Sequence, residues 1–130
     1  MSGEIKIKDT FFEIIKSYYP SARICNPRRG NNPNRKEILV GNRAKRWMKI
    51  DDNSKVMHVS MDHYRGAITD VDVEAIHMDK EGGNKYKLNY LSDGNYDAVH
   101  FSFWKSVPYD FYNERFLLFL EKQFNAYMRL

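Results

Sequence analysis

The sequence predicts an α+β fold: a two-layer sandwich in which a curved antiparallel sheet of about six strands carries an N-terminal and a C-terminal helix on one face, in the order α-βββ-βββ-α. Two observations predict it. Apolar residues recur at helical spacing near both ends of the 130-residue chain. Between them, short alternating runs are divided by turn signals every ten or so residues, the pattern of antiparallel meanders rather than of βαβ units. A single domain over 1–130 is expected, a length that buries a core without disulfides or a metal.

The first helix reads from Thr10, which with Glu13 has the spacing of a capping box; Phe11, Ile14, Ile15 and Tyr18 then share one face, and Pro20 stops the helix. From Ser21 to Arg35 there is no periodicity, and Pro, Gly and Asn are frequent, so 21–35 is predicted to be a long basic loop. Strands are predicted at Lys36–Gly41 and Lys45–Asp51 around a GNRA turn, then at Lys55–Met61, Val71–Met78, Lys85–Leu91 and Ala98–Trp104. KEGGN and SDGNY turn the chain between the last three, so Gly41, Gly82, Gly83 and Gly94 are assigned to hairpin turns. Pro108 and Asp110 open a last helix from near Phe111 to Met128, with Phe116, Leu117, Phe119, Leu120, Phe124 and Tyr127 as a wide apolar stripe.

Composition bounds the function. The chain is 42% hydrophobic and 29% charged, as in ordinary globular proteins, and 15% aromatic. No run approaches the ~18 to 20 apolar residues of a membrane span. MSGEIKIKDT has no apolar h-region, and Cys25 is the single cysteine, so a cytoplasmic setting without disulfides is expected. The net charge of +4 hides an asymmetry: Ser21 to Ile50 holds nine Lys and Arg against Glu37 alone, while 51–80 holds seven acids against three cations. Such a field draws a polyanion to one region.

Alternation assigns the sheet's faces. Met48, Ile50, Met57, Val59, Met61, Tyr86, Leu88, Tyr90, Val99, Phe101 and Phe103 form the apolar set. The opposite face then shows Trp47 and Trp104 among Lys45, Lys49, Lys85, Lys87, His58 and His100. Rings beside cations on a sheet suit single-stranded nucleic acid, bases stacking on the rings and cations holding phosphates; packed tryptophans and a solvated lysine face are the structural alternative. The basic run adds Arg23, Arg28, Arg29, Arg35, Lys36, Arg43 and Arg46. Guanidinium groups bind phosphate bidentately, and a Gly/Asn/Pro-rich loop lets backbone amides come close as well.

Motifs for chemistry are weak. His58, Asp62 and His63, with Asp70, Asp72 and Glu74, could suggest carboxylate ligands for a hard cation in a nuclease. No Glu-x-Lys or Asp-x-Lys follows at a strand position, and adjacent Asp79 and Lys80 would lie on opposite faces. One Cys and scattered His lack zinc spacing. Cys25, beside Arg23, Arg28 and Arg29, has no nucleophile elbow, and there is no GxGxxG or P-loop. No catalytic residue, metal or cofactor is assigned.

In element order and in FFEIIKSYY, KRWMKID, KVMHVSM, DGNYDAVHFSF and ERFLLFLEKQF, the chain resembles an uncharacterised small α+β domain at the ends of bacterial predicted-transport or restriction-associated proteins. That resemblance implies a bacterial or phage protein working near defence and nucleic acid, and no catalytic residues. The leading expectation is a non-catalytic nucleic-acid-binding module built on Arg23, Arg28, Arg29, Arg35, Lys36, Arg43, Lys45, Arg46, Trp47, Lys49 and Trp104. The alternatives are an interaction or inhibitor factor, from phage or host defence, that docks an acidic protein surface, and a metal-dependent nuclease on Asp62, Asp70, Asp72 and Glu74.

Overall fold

The computed structural model describes residues 7–90 and 96–130. Helix α1 (Ile7–Tyr18) buries Ile7, Phe11, Ile14 and Ile15, spaced i, i+4, i+7 and i+8. The stripe thus begins a turn earlier than expected, and Thr10 lies inside the helix rather than at its N-cap. Tyr18 ends the helix exposed.

The sheet has six strands, as predicted, but one of them is different. The segment 21–35 is not all loop: β1 (Ala22–Cys25) pairs antiparallel with β2 (Arg35–Val40), and the connection shrinks to 26–34. Ala22 and Ile24 pack against the core while Arg23 is exposed, a two-residue alternation that the surrounding charge conceals. The GNRA turn is part of a longer connection, 41–47, in which only Gly41 takes a positive φ (+53°). Then come β3 (Met48–Asp52), β4 (Val56–Tyr64), β5 (Lys85–Tyr90) and β6 (Tyr96–Trp104), in the spatial order β1-β2-β3-β4-β6-β5 with every pairing antiparallel. Leu91, the expected end of β5, and SDGN of the following turn, with Gly94, lie outside the described residues.

The expected strand Val71–Met78 is instead a short helix, α2 (Asp70–Glu74). Thr69 sits at its N-cap; its backbone N–H and hydroxyl both donate to the Asp72 carboxylate (2.9 and 3.2 Å), and Asp70 and Asp72 favour the positive end of the helix. Val73 and Ile76, three apart, enter the core, whereas Val71 is 78% exposed, the reverse of what an alternating strand buries. A 3-10 turn (Lys80–Gly82) follows, so Gly82 and Gly83 lead from helix to strand rather than through a hairpin. The order is therefore α-ββββ-α-ββ-α. The last helix, α3 (Glu114–Tyr127), starts three residues later than expected: the Asn113 side chain accepts the Phe116 N–H (2.9 Å), and Phe111 is buried in the turn before it.

Register builds the inner face in rows. Ile38, Met48, Met61, Val99 and Leu88 lie side by side across β2, β3, β4, β6 and β5; Ile50, Val59, Phe101 and Tyr86 form the next row, then Met57 and Phe103. These rows and the apolar sides of all three helices form one core, with the helices on one face of the sheet. Phe11, Phe103, Phe111 and Phe116 meet edge to face within it. Among the described residues no helix is long and apolar enough to cross a membrane.

Candidate functional site

The outer face of the sheet carries polar rows at the alternate positions. Lys87, His100, Ser60, Lys49, Glu37 and Cys25 are register neighbours across β5, β6, β4, β3, β2 and β1; Lys85, Ser102, His58, Asp51 and Arg35 make the adjoining row. The two central pairs mirror each other: His58 Nδ1 lies 3.0 Å from Ser102 Oγ, and His100 Nδ1 lies 2.8 Å from Ser60 Oγ. Burial, then Lys49, hold the His100 ring below its ordinary pKa, with Lys87 acting the same way and Asp62 against them. His100 is thus kept neutral at pH 7 between two lysines. Lys49, Lys85 and Lys87 have no ion-pair partner among the described residues.

The basic segment divides in a way that charge counting does not show. Arg28, Arg29, Arg35 and Arg46 line one cleft of about 520 Å³ with Pro27 and Glu37. Glu37 is its anchor, 4% exposed. One carboxylate oxygen accepts the Arg28 backbone N–H (3.0 Å) and Nε–H (3.2 Å), and the other accepts Arg46 Nη1–H (2.7 Å). Burial alone would raise its pKa; the hydrogen bonds from Arg46 and Arg28 overcome that and hold it at about 2. Arg35 donates Nε–H and Nη2–H to its register partner Asp51 at 2.6 and 3.2 Å. Arg29 is exposed and has no partner among the described residues. The 26–34 loop is tied down on both sides, by Arg28 to Glu37 and by the Asn34 carbonyl, which accepts the Asp52 N–H (2.9 Å).

The remaining predicted residues do not join that cleft. Arg43 donates to the carbonyls of Met128 (3.0 Å) and Leu130 (3.1 Å), a cation at the negative end of α3. Arg23 donates to the Gly41 carbonyl (3.0 Å), and Lys36 Nζ to Asn26. Lys45 Nζ sits 3.2 Å from Asp62 and 3.3 Å from the centre of the Tyr96 ring. Arg28, Arg35, Lys45 and Arg46 thus each meet a carboxylate, Arg23, Lys36 and Arg43 meet neutral carbonyl or amide oxygens, and Arg29 and Lys49 have no hydrogen-bond or ion-pair partner among the described residues.

Trp47 is not on the outer face. It is fully buried, against Tyr19, Phe124 and Tyr127, and its indole N–H donates to Gln123 Oε1 (2.5 Å), whose amide donates on to the Asp62 carbonyl (2.9 Å). Alternation fails here because Trp47 precedes β3, at the end of the 41–47 connection. Met48 is the register partner of Ile38, the last pair of that ladder, and the Trp47 N–H donates to the Ile38 carbonyl (2.8 Å); Trp47 and Met48 are consecutive and both enter the core. Trp104 does lie on the outer face, half-buried against the backbone of Gly83.

The carboxylates considered for a metal are dispersed. Asp62 is on the outer face with Lys45, whereas α2 packs on the inner side, where Asp70 and Glu74 both accept from the Tyr86 hydroxyl and Asp72 pairs with Lys122 (2.7 Å). Among the described residues no group of three or more His, Cys, Asp and Glu is placed to hold a metal ion. Cys25, half-buried, faces Glu37 across β1 and β2.

The architecture is that of an α+β protein with one helix-covered and one open sheet face. Comparison with known proteins found no match among family models, curated sequences or solved structures.

Proposed function

We propose that the protein is a nucleic-acid-binding module that holds a single strand along the outer face of the sheet and into the arginine cleft. The observation that carries this reading is the row Lys87–His100–Ser60–Lys49–Glu37, whose two lysines have no ion-pair partner among the described residues and which runs to Glu37 in the lining of the cleft, on the sheet face away from the described helices. Strands lie about 4.8 Å apart, so Lys87 and Lys49, three spacings apart, put cations on a path of roughly 14 Å. Lysine ammonium groups hold phosphates without reading sequence, and the His–Ser pairs offer polar contacts to sugars and bases. In this reading Trp104, on the outer face, stacks a base, and Trp47 belongs to the core.

Fluorescence anisotropy with single-stranded DNA, RNA and duplex DNA at low salt tests this. Single strands are expected to bind, and the K49A/K85A/K87A variant to bind at least tenfold more weakly with an unchanged melting temperature. Absence of binding to any of the three would reject the reading. Binding of an acidic protein instead would move the same cations to the interaction-factor class.

A further inference from the structure

We infer that the arginine cleft is a site for a terminal phosphate, a phosphomonoester at the end of a nucleic-acid strand, rather than for an internal phosphodiester. The identity of the strand rests on the function proposed above; the phosphate chemistry rests on the cleft alone.

A guanidinium has five N–H donors. Arg28 spends Nε on Glu37 and Nη1 on the Ala44 carbonyl (2.9 Å), Arg46 spends Nη1 on Glu37, and Arg35 spends Nε and Nη2 on Asp51. Arg28 Nη2, Arg46 Nε and Nη2, Arg35 Nη1 and all of Arg29 are left over. Three of the four arginines are thus held in place by carboxylates while still having N–H groups to give, which is preorganisation for a second, exchangeable anion. Glu37 is nearly inaccessible, so it orients the arginines without competing from the mouth of the cleft.

Charge then selects the anion. Four guanidinium groups against the carboxylates of Glu37 and Asp51 leave a net charge of +2. A phosphomonoester carries about −1.5 to −2 at pH 7, whereas a phosphodiester carries a single charge. Shape agrees. The cleft lies toward the β1–β2 side of the sheet with the 26–34 loop as one wall, and its volume is in the range of small-ligand sites. A strand end needs one exit, and the Lys49 row beginning beside Glu37 provides it.

The test compares one oligonucleotide sequence carrying a 5′-phosphate, a 3′-phosphate or hydroxyls at both ends, titrated into the full chain at low salt. One phosphorylated form is expected to bind at least about tenfold tighter than the hydroxyl form, the scale of added charge-assisted hydrogen bonds. In R29A, whose side chain makes no hydrogen bond among the described residues, this ratio should collapse toward one. All three forms binding equally would overturn the end site and leave the nucleic-acid reading standing. A ratio that survives in R29A and R46A alike would place end recognition elsewhere and overturn the assignment. A parallel titration with inorganic phosphate, read by NMR at the arginine side-chain N–H groups, separates the two sources of phosphate. Shifts at Arg28 and Arg46 in a protein that binds no oligonucleotide would overturn the strand end as occupant and, with it, the function proposed above.

Discussion

Replacing Glu37 with Gln keeps the shape of the side chain and removes its charge, and the consequences can be worked from the geometry. The carboxylate receives three hydrogen bonds from two arginines and is almost wholly buried. Its pKa of about 2 lies well below the ordinary value of 4.5. Linkage makes a depression of that size equivalent to roughly 3 kcal/mol of stability at neutral pH. Arg28 and Arg46 are one-half and one-third exposed and can partly resolvate, which brings the expected loss to about 2 kcal/mol. The pH dependence has a definite sign. Because the folded-state pKa is depressed, the stabilisation is present above the unfolded value of about 4.5 and is lost as pH falls toward 2. Urea unfolding of wild type and E37Q should therefore differ by about 2 kcal/mol at pH 7, by less as pH falls below about 4.5, and converge near pH 2. Equal stability at pH 7, or a difference that persists unchanged at pH 3, would refute the claim that Glu37 organises the cleft as an ionised group.

Two further perturbations separate structure from binding. Trp47→Phe removes the indole N–H and leaves Gln123 Oε1 unpaired in the core, so it should cost about 1 to 3 kcal/mol in chemical denaturation while leaving oligonucleotide affinity unchanged; a loss of affinity at constant stability would return Trp47 to the binding surface. His63 is fully buried, neither ring nitrogen is hydrogen-bonded among the described residues, and burial holds its pKa below the ordinary value against the pull of Asp97 and Asp62. A histidine depressed in the fold binds its proton more readily when unfolded. Stability should therefore fall as pH drops below about 6.5, by up to ~1.4 kcal/mol per pH unit from this group, and H63F should flatten that slope; an identical slope in H63F would show that another group carries it.

The sequence reports the fold well where side chains alone decide it. The stripe of Phe11, Ile14 and Ile15, the stripe of α3 and the alternation in Ala98–Trp104 are one-dimensional patterns, and the structure keeps them, whereas β5 packs only Tyr86 and Leu88 of its expected apolar set against the core and leaves Tyr90 exposed. Val71–Met78 misleads because valines two apart imitate a strand, while the cap formed by Thr69 and Asp72 selects a helix. β1 is missed because four residues are too few to show a period inside a basic run. Trp47 is misassigned because the strand begins only at Met48, so period-2 alternation does not extend to the residue before it. The site is less legible still. Arg28, Arg35 and Arg46 find Glu37 and Asp51 only through the β2–β3 register and the return of the 26–34 loop. One signal was available: Glu37 is the sole acid between Ser21 and Ile50, and a lone carboxylate in such a field is well placed to organise it.

The salt dependence of single-strand binding tests the central claim most directly. If the lysine face and the arginine cleft hold the strand, log K should fall linearly with log salt at about −0.7 per phosphate contact. In K49A/K85A/K87A that slope should become shallower by up to about 2. A wild-type slope near zero, or a slope unchanged in the triple variant, would contradict the account and place the partner elsewhere on the molecule.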